Sequence, residues 1–352
     1  MTMDTRNPPV SPIVAAAGLA QGPEAAAGAV AAIAADGRPP SISIVSTMYR
    51  SRRFLEDFLR DCVEALAAAG CSRYEIVLVN DGSPDDSLAY AVSRRADLPQ
   101  LVVVDLSRNF GHHHAMQAGL AHARGERVFL IDCDLEVRPA VLLPLLQKQR
   151  ETGADLVFGY QEARKGGWFE RFSGDLFWRG LNALTDVPIA ENMLTERVMT
   201  RRFVDALLRL GDRNLFMGGM MSWTGFVQIG LPIPKTQREG RSSYTLRRRL
   251  QLMVVAVSSF SSKPLTWLFN AGIAITLASF AYVGYLLVRK VLFNDALLGF
   301  TSMMALLALS LGITTTALGL VGIYLGKVFN QVQNRPTYIV RDIHRDRDAT
   351  GP

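Results

Sequence analysis

The sequence predicts an α/β fold with a mostly parallel sheet, followed by an interfacial helix and a two-helix transmembrane hairpin. Three observations carry this. From residue 41 onward, short apolar runs bounded by turn residues alternate with helical segments, which is how βαβ units with strands buried on both faces read. Polar clusters follow residues 47, 79, 106 and 131, the carboxyl ends of predicted strands, where open α/β sheets bind ligands. The C-terminal third holds two long stretches without a charged side chain, 265–288 and 296–326. Each exceeds the roughly 20 residues a bilayer-spanning helix needs.

Residues 1–40 are rich in Ala, Gly and Pro, and Pro23 and four glycines break any long helix. They predict a disordered tail. A secretory signal is disfavoured, because "MTMDTRNPP" lacks a basic region and Pro23 interrupts the apolar run. The domain spans 41–243. Its strands are "SISIVST" (41–47), "YEIVLV" (74–79), "LVVVDL" (101–106), "RVFLI" (127–131) and "ADLVFG" (154–159). Helices are expected at 52–69, at about 111–123, and from about 139. The second strand ends in the turn and cap cluster "NDGSPDDS", the fourth in "DCDLE".

Residues 244–263 carry Arg247, Arg248 and Arg249 followed by an apolar run. They predict a helix lying among lipid headgroups, with an ordinary amphipathic helix packed on the domain as the alternative. Residues 264–327 supply the spans, about 265–288 and 298–325, and 328–352 a cytoplasmic tail. "RKVLFND" is too short to be a domain, so the spans form a hairpin with both flanks on one side. Within 20 residues, Lys and Arg number four before the first span, two in the connection and four after the second. That bias predicts a multi-pass protein of the inner cell membrane with its large domain in the cytoplasm.

Hydrophobic residues make up 49% of the 352, high for a soluble enzyme and accounted for by the spans. The net charge of +6 favours anionic partners: phosphates, nucleic acid or an acidic lipid surface. Three cysteines without a CxxC pair fit reduced thiols facing the cytosol rather than a disulfide framework.

Asp132, Asp134 and Glu136 directly follow a strand. If the segment stays extended, alternate side chains share a face and the three carboxylates converge. An oxygen donor set suits Mg²⁺ or Mn²⁺, which bridge carboxylates and a diphosphate. Exposed loop acids are the simpler alternative. The run His112-His113-His114 cannot place all three rings on one ion and lacks the i, i+4 spacing of a helical zinc site. After Gly111 these are polar residues at a helix start, where one can donate to a phosphate oxygen beside free backbone N–H groups. No GxGxxG follows a strand, and GxxxxGK[ST] and GxSxG are missing. This weighs against dinucleotide oxidoreductases, P-loop enzymes and α/β-hydrolases.

Several pieces occur in one order: "SIVSTMY", "VLVNDGSPDDS", "LSRNFGHHHAMQAGLAHARGERVFLIDCDLEVRP", "VFGYQEARKGG", "RVMTRRFVDALL" and "SSFSSKPL", then two spans. In this the chain resembles the family 2 glycosyltransferases, and within them the polyprenyl-phosphate group that includes dolichol-phosphate mannose synthase. The resemblance implies a GT-A-type nucleotide-sugar-binding domain. It implies that Thr47 and Tyr49 flank the nucleotide base and that Asp81 holds base or ribose. Asp132 and Asp134 would hold the metal and diphosphate, with Glu136 a further metal ligand where the family often has Gln. Arg164 and Arg197 would grip the acceptor phosphate. The chain departs from the pattern at Arg50-Ser51, at Asn80, at Gln161, in "LTER" (194–197) and in "GRSSY" (240–244).

The implied activity is inverting transfer of a sugar from a UDP or GDP sugar to a polyprenyl phosphate on the cytoplasmic leaflet, feeding envelope glycan or glycolipid synthesis. The implied partners are those two substrates and the membrane, with no nucleic acid; a homo-oligomer is compatible with the sequence. A processive polysaccharide synthase is the nearest rival, but its Gln-x-x-Arg-Trp motif is missing. A transporter subunit and a catalytically inactive membrane-anchored nucleotide-sugar-binding protein are the others. Two spans without an internal charge offer a transporter no polar pathway.

Overall fold

The computed structural model describes residues 40–161, 193–213, 215–233, 261, 263–293 and 299–345. The predicted N-terminal tail except residue 40, and the predicted interfacial helix except residues 261 and 263, lie outside these.

The core is a mixed sheet of eight strands in three layers. In chain order the elements are β1 (Ile42–Met48), α1 (Arg52–Ala68), β2 (Tyr74–Asn80), α2 (Ser87–Ser93), β3 (Leu101–Leu106), α3 (His112–His122), β4 (Arg127–Leu130), α4 (Leu142–Thr152) and β5 (Leu156–Tyr160). Then come β6 (Met193–Thr200), α5 (Arg201–Arg209), α6 (Met217–Trp223), β7 (Gln228–Pro232), α7 (Lys263–Phe293), α8 (Phe300–Val332) and β8 (Val340–His344). The spatial order is β7-β5-β6-β4-β1-β2-β3-β8. Strands β3, β2, β1 and β4 run parallel, β6 is antiparallel to both β4 and β5, and β8 is antiparallel to β3.

Alternation along the central strands builds two apolar layers. Ile42, Ile44, Ile76, Leu78 and Phe129 face α1 and α4 on one side. Val45, Val77, Val79, Val102 and Val104 face α3 and α5 on the other. Gly119 lets α3 sit close on the sheet, since a Cβ there would lie 2.4 Å from Val45 Cγ1. The five strands expected from sequence are present, each within two residues of its predicted limits.

Two features were not expected. Strand β6 inserts antiparallel between β4 and β5. Residues 340–344, expected as part of a tail, form an edge strand on β3. Val-Arg-Asp-Ile-His has too few apolar residues to read as a buried strand, and edge positions tolerate that composition.

Helices α7 and α8 are 31 and 33 residues long. Each contains a window apolar and long enough to cross a membrane, with none of it buried in the protein. Both extend beyond the predicted spans. Tyr324 Oη of α8 donates to the Ser261 carbonyl at 2.9 Å, just before α7. The foot of α8 is tied to the domain: Gln331 Nε2 donates to the Gly211 carbonyl at 3.2 Å, and Arg213 bonds Asn334 and the Arg335 carbonyl.

Candidate active site

A pocket opens at the carboxyl ends of β1 and β2, lined by Thr47, Met48, Tyr49, Asp81, Asn109, Gly111 and His112. Three predicted nucleotide residues, Thr47, Tyr49 and Asp81, thus meet in one place. Tyr49 is 46% exposed, with the Arg50 guanidinium 5.6 Å from its ring centre. Arg50 holds a left-handed φ of 54°, and its N–H donates to Ser83 Oγ at 2.7 Å.

Asp81 is buried, and its two oxygens accept the N–H groups of Phe110 (2.7 Å) and Gly111 (3.1 Å). It pins the loop that enters α3. Gly82, at φ +61°, packs on that loop; a Cβ there would come within 2.4 Å of the Asn109 nitrogen. Only glycine fits both demands.

His112 joins the pocket to the acidic turn. Its Nδ1 is 3.0 Å from Thr47 Oγ1 and its Nε2 is 3.3 Å from Asp132 Oδ1. Burial pulls the His112 pKa down, but the hydrogen bond with Asp132 and the charges of Asp132, Asp81 and Asp134 outweigh it, so the net shift is upward. Burial likewise pushes Asp132 up, and His112, Thr195 and Arg197 together bring it below the ordinary carboxylate value. At neutral pH Asp132 is an anion. The other two histidines turn away: His113 Nδ1 lies 3.2 Å from the Leu215 carbonyl, and burial lowers the pKa of both His113 and His114.

The segment after β4 is not extended. It turns, with Leu135 at φ 59°, and the Glu136 N–H donates to Asp134 Oδ1 at 3.0 Å. The alternation argument for three convergent carboxylates therefore fails, and no group of three or more His, Cys, Asp or Glu side chains gathers for a metal among the described residues.

Arg197 lies on β6, antiparallel to β4, its Cα paired with Leu130. It is buried. Its Nε donates to the Thr195 carbonyl at 2.8 Å, its Nη2 to the Leu194 carbonyl, and its Nη1 to the thioethers of Met221 (2.7 Å) and Met193 (3.5 Å). Burial lowers its pKa to about 10 against the raising charges of Glu196 and Asp132, so it stays protonated at neutral pH. Arg164 lies outside the described residues.

Sequence reasoning missed Asn109, the bridging role of His112, and Thr195. Their partners are distant in sequence: Thr47 and His112 are 65 residues apart. No local spacing signals such a pairing.

The sequence model of Glycosyl transferase family 2 matches residues 43–209. A Mycobacterium tuberculosis (strain CDC 1551 / Oshkosh) protein described among glycosyltransferases is 42% identical over 305 residues, covering 86% of this chain and 88% of that one. A bactoprenol glucosyl transferase of Shigella flexneri, prophage-derived, is 31% identical over 273 residues, covering 77% and 88%. Among solved structures, a mannosyltransferase of Pyrobaculum calidifontis in complex with GDP-Man and Mn2+ is similar at 17% identity and a TM-score of 0.46, covering 85% and 88%.

Proposed function

The chain belongs to glycosyl transferase family 2, and from that premise we propose that it moves a sugar from a nucleotide diphosphate onto the phosphate of a polyprenyl lipid. The observation that carries this reading is the Thr47–His112–Asp132 chain of contacts. It links the pocket to the acid-x-acid turn, which supports reading the two, with the buried Arg197 cation, as one site. The similarity to a bactoprenol glucosyl transferase supports the lipid acceptor.

The donor chemistry fits a hard divalent cation. Mg²⁺ is commonly held by one or two carboxylates, with phosphates and water completing its shell. Asp132, ionised at the pocket, and Asp134, two residues on, are the candidates that would hold it. When bound, Mg²⁺ or Mn²⁺ neutralises charge gathering on the departing diphosphate.

The chain's own residues do the rest. Thr47, Tyr49 and Asp81 frame the nucleotide, and the His112 ring holds Thr47 and Asp132 beside its phosphates. A phosphate monoester has its second pKa near 6, so the acceptor arrives largely as a dianion and no strong general base is required. One of its oxygens attacks the anomeric carbon, the bond from that carbon to the diphosphate breaks, and the electron pair leaves on the nucleotide. Single displacement inverts the anomeric centre. Arg197 is the residue to hold the acceptor phosphate, together with Arg164. Thioethers are weak acceptors, so an incoming phosphate outcompetes Met193 and Met221 for the Arg197 Nη1 donors.

The hairpin α7–α8 would sit in the inner membrane and keep the pocket where the acceptor headgroup emerges. β8 lies beyond the second helix yet pairs within the domain's sheet, which supports both hairpin flanks lying on one side, and the basic flanks favour the cytoplasm. The test uses full-length protein in detergent with radiolabelled UDP and GDP sugars, polyprenyl phosphate and Mg²⁺. Label should enter the lipid phase, and both chelator and Asp134→Ala should abolish this. Transfer that persists in chelator with the Asp134→Ala variant would remove the metal site from the account.

A further inference from the structure

We propose that β8, the strand that follows the membrane hairpin, positions the nucleotide half of the site through Arg341, Asp105 and Asn80. This deepens the reading above and rests on it.

Arg341 touches two chain segments at once. Its Nη1 lies 3.3 Å from Asp105 Oδ2, and its Nη2 donates to the Ser107 carbonyl at 2.6 Å. The Ser107 N–H in turn donates to the Ile339 carbonyl at 2.9 Å. Ser107 begins the loop that carries Asn109, Gly111 and His112 into the pocket. The sheet register shifts between Asp105 and Leu106, so the strand pairing alone does not fix this loop and the Arg341 contacts complete it.

The second segment runs through Asp105, which is 3% exposed. Its Oδ1 accepts from Asn80 Nδ2 at 2.7 Å, and Asn80 Oδ1 accepts the Ser83 N–H at 3.1 Å. Between Asn80 and Ser83 lie Asp81 and Gly82, the residues that clamp the loop into α3. Ser83 Oγ then receives the Arg50 N–H, next to Tyr49 at the pocket's mouth. All three pieces of chain that line the pocket are thus bonded back, directly or through Asp105, to a strand that the sequence reading placed in a tail.

The same chain explains a departure from the family pattern. Asn80 stands where the resemblance leads one to expect an aspartate. A carboxylate there would face that of Asp105 at hydrogen-bond distance, and two like charges so close in a buried place repel strongly. An amide can donate to Asp105 and accept from Ser83 simultaneously. Asn80 is the residue that Asp105 and Arg341 require.

The experiment uses the full-length protein in detergent. It measures donor KM, acceptor KM and kcat, and the affinities of UDP and of GDP with Mg²⁺ by calorimetry. Arg341 is 59% exposed, so its effect is modest. Arg341→Ala should raise the donor KM about fivefold, with kcat and acceptor KM within about twofold. Arg345→Ala is the control on the end of the same strand, where the guanidinium meets Glu75 and the His122 carbonyl, away from the pocket; it should leave the donor KM unchanged. Asn80→Asp should raise the donor KM about tenfold. Adding Asp105→Asn restores a donor–acceptor pair in reverse and should bring it back to within about threefold. The proposal is overturned if Arg341→Ala and Arg345→Ala behave alike, or if the Asn80→Asp/Asp105→Asn pair is worse than Asn80→Asp. It is also overturned if Arg341→Ala lowers kcat and raises both KM values together. Failure of the unaltered protein to bind either nucleotide would instead overturn the glycosyl-transfer reading beneath it.

Discussion

The two halves of the site are built from different materials. On the proposed nucleotide side the polar groups satisfy one another: Asp81 holds two backbone N–H groups, Asn80 holds Asp105 and Ser83, and Thr47 meets His112. On the proposed acceptor side the buried Arg197 guanidinium is bonded to the sulfurs of Met193 and Met221 and to two carbonyls. The first arrangement is a closed set of hydrogen bonds, which suits a donor of constant shape. The second keeps a cation among soft, exchangeable partners, which suits a headgroup that arrives from a bilayer. One site can therefore be stiff toward one substrate and yielding toward the other.

Substitutions can break this contrast or sharpen it. Asp132 sits at the junction, so Asp132→Asn should damage both halves and reduce transfer on the order of a thousandfold, read as label incorporated into lipid. A loss confined to one substrate's KM would place Asp132 in that half alone. Arg197→Ala should cut kcat/KM for the acceptor about a hundredfold while leaving nucleotide affinity within about twofold. Arg197→Lys should rescue little, because an ammonium lacks the planar fork. Equal weakening of both substrates by Arg197→Ala would erase the distinction between the halves.

Gly82→Ala acts only on the nucleotide side. It adds a Cβ against the Asn109 backbone at a left-handed φ and should cost about 2 kcal/mol. The fall should register both in the thermal midpoint and in UDP or GDP affinity. Thr47→Val should have the smallest effect. It removes one hydroxyl partner of His112, with about a threefold rise in donor KM, visible by steady-state kinetics at saturating acceptor.

The two halves were also unequally legible in the sequence. Strands β1 to β4 and the pocket at their ends declared themselves, because buried parallel strands are continuous apolar runs and their ends carry the polar clusters. Thr47, Tyr49 and Asp81 do converge. Asp81 also holds the loop into α3, a contact that spacing cannot reveal, since these partners are backbone N–H groups 29 and 30 residues away. The carboxylate turn was misread as extended because no residue type announces the left-handed φ of Leu135. β8 escaped because an edge strand needs no apolar run, and its anchors, Asp105 and Glu75, are more than 230 residues upstream. The membrane helices were the plainest signal, since exposed Leu, Ile and Phe along their length leave lipid as the solvent that suits them.

The most direct measurement is mass spectrometry of the lipids after purified full-length protein meets a panel of UDP and GDP sugars, Mg²⁺ and polyprenyl phosphate. The account predicts a polyprenyl phosphate heavier by one sugar residue, its anomeric configuration opposite to that of the donor. Nucleotide binding accompanied only by free sugar, or by a chain of several sugars on one acceptor, would contradict it.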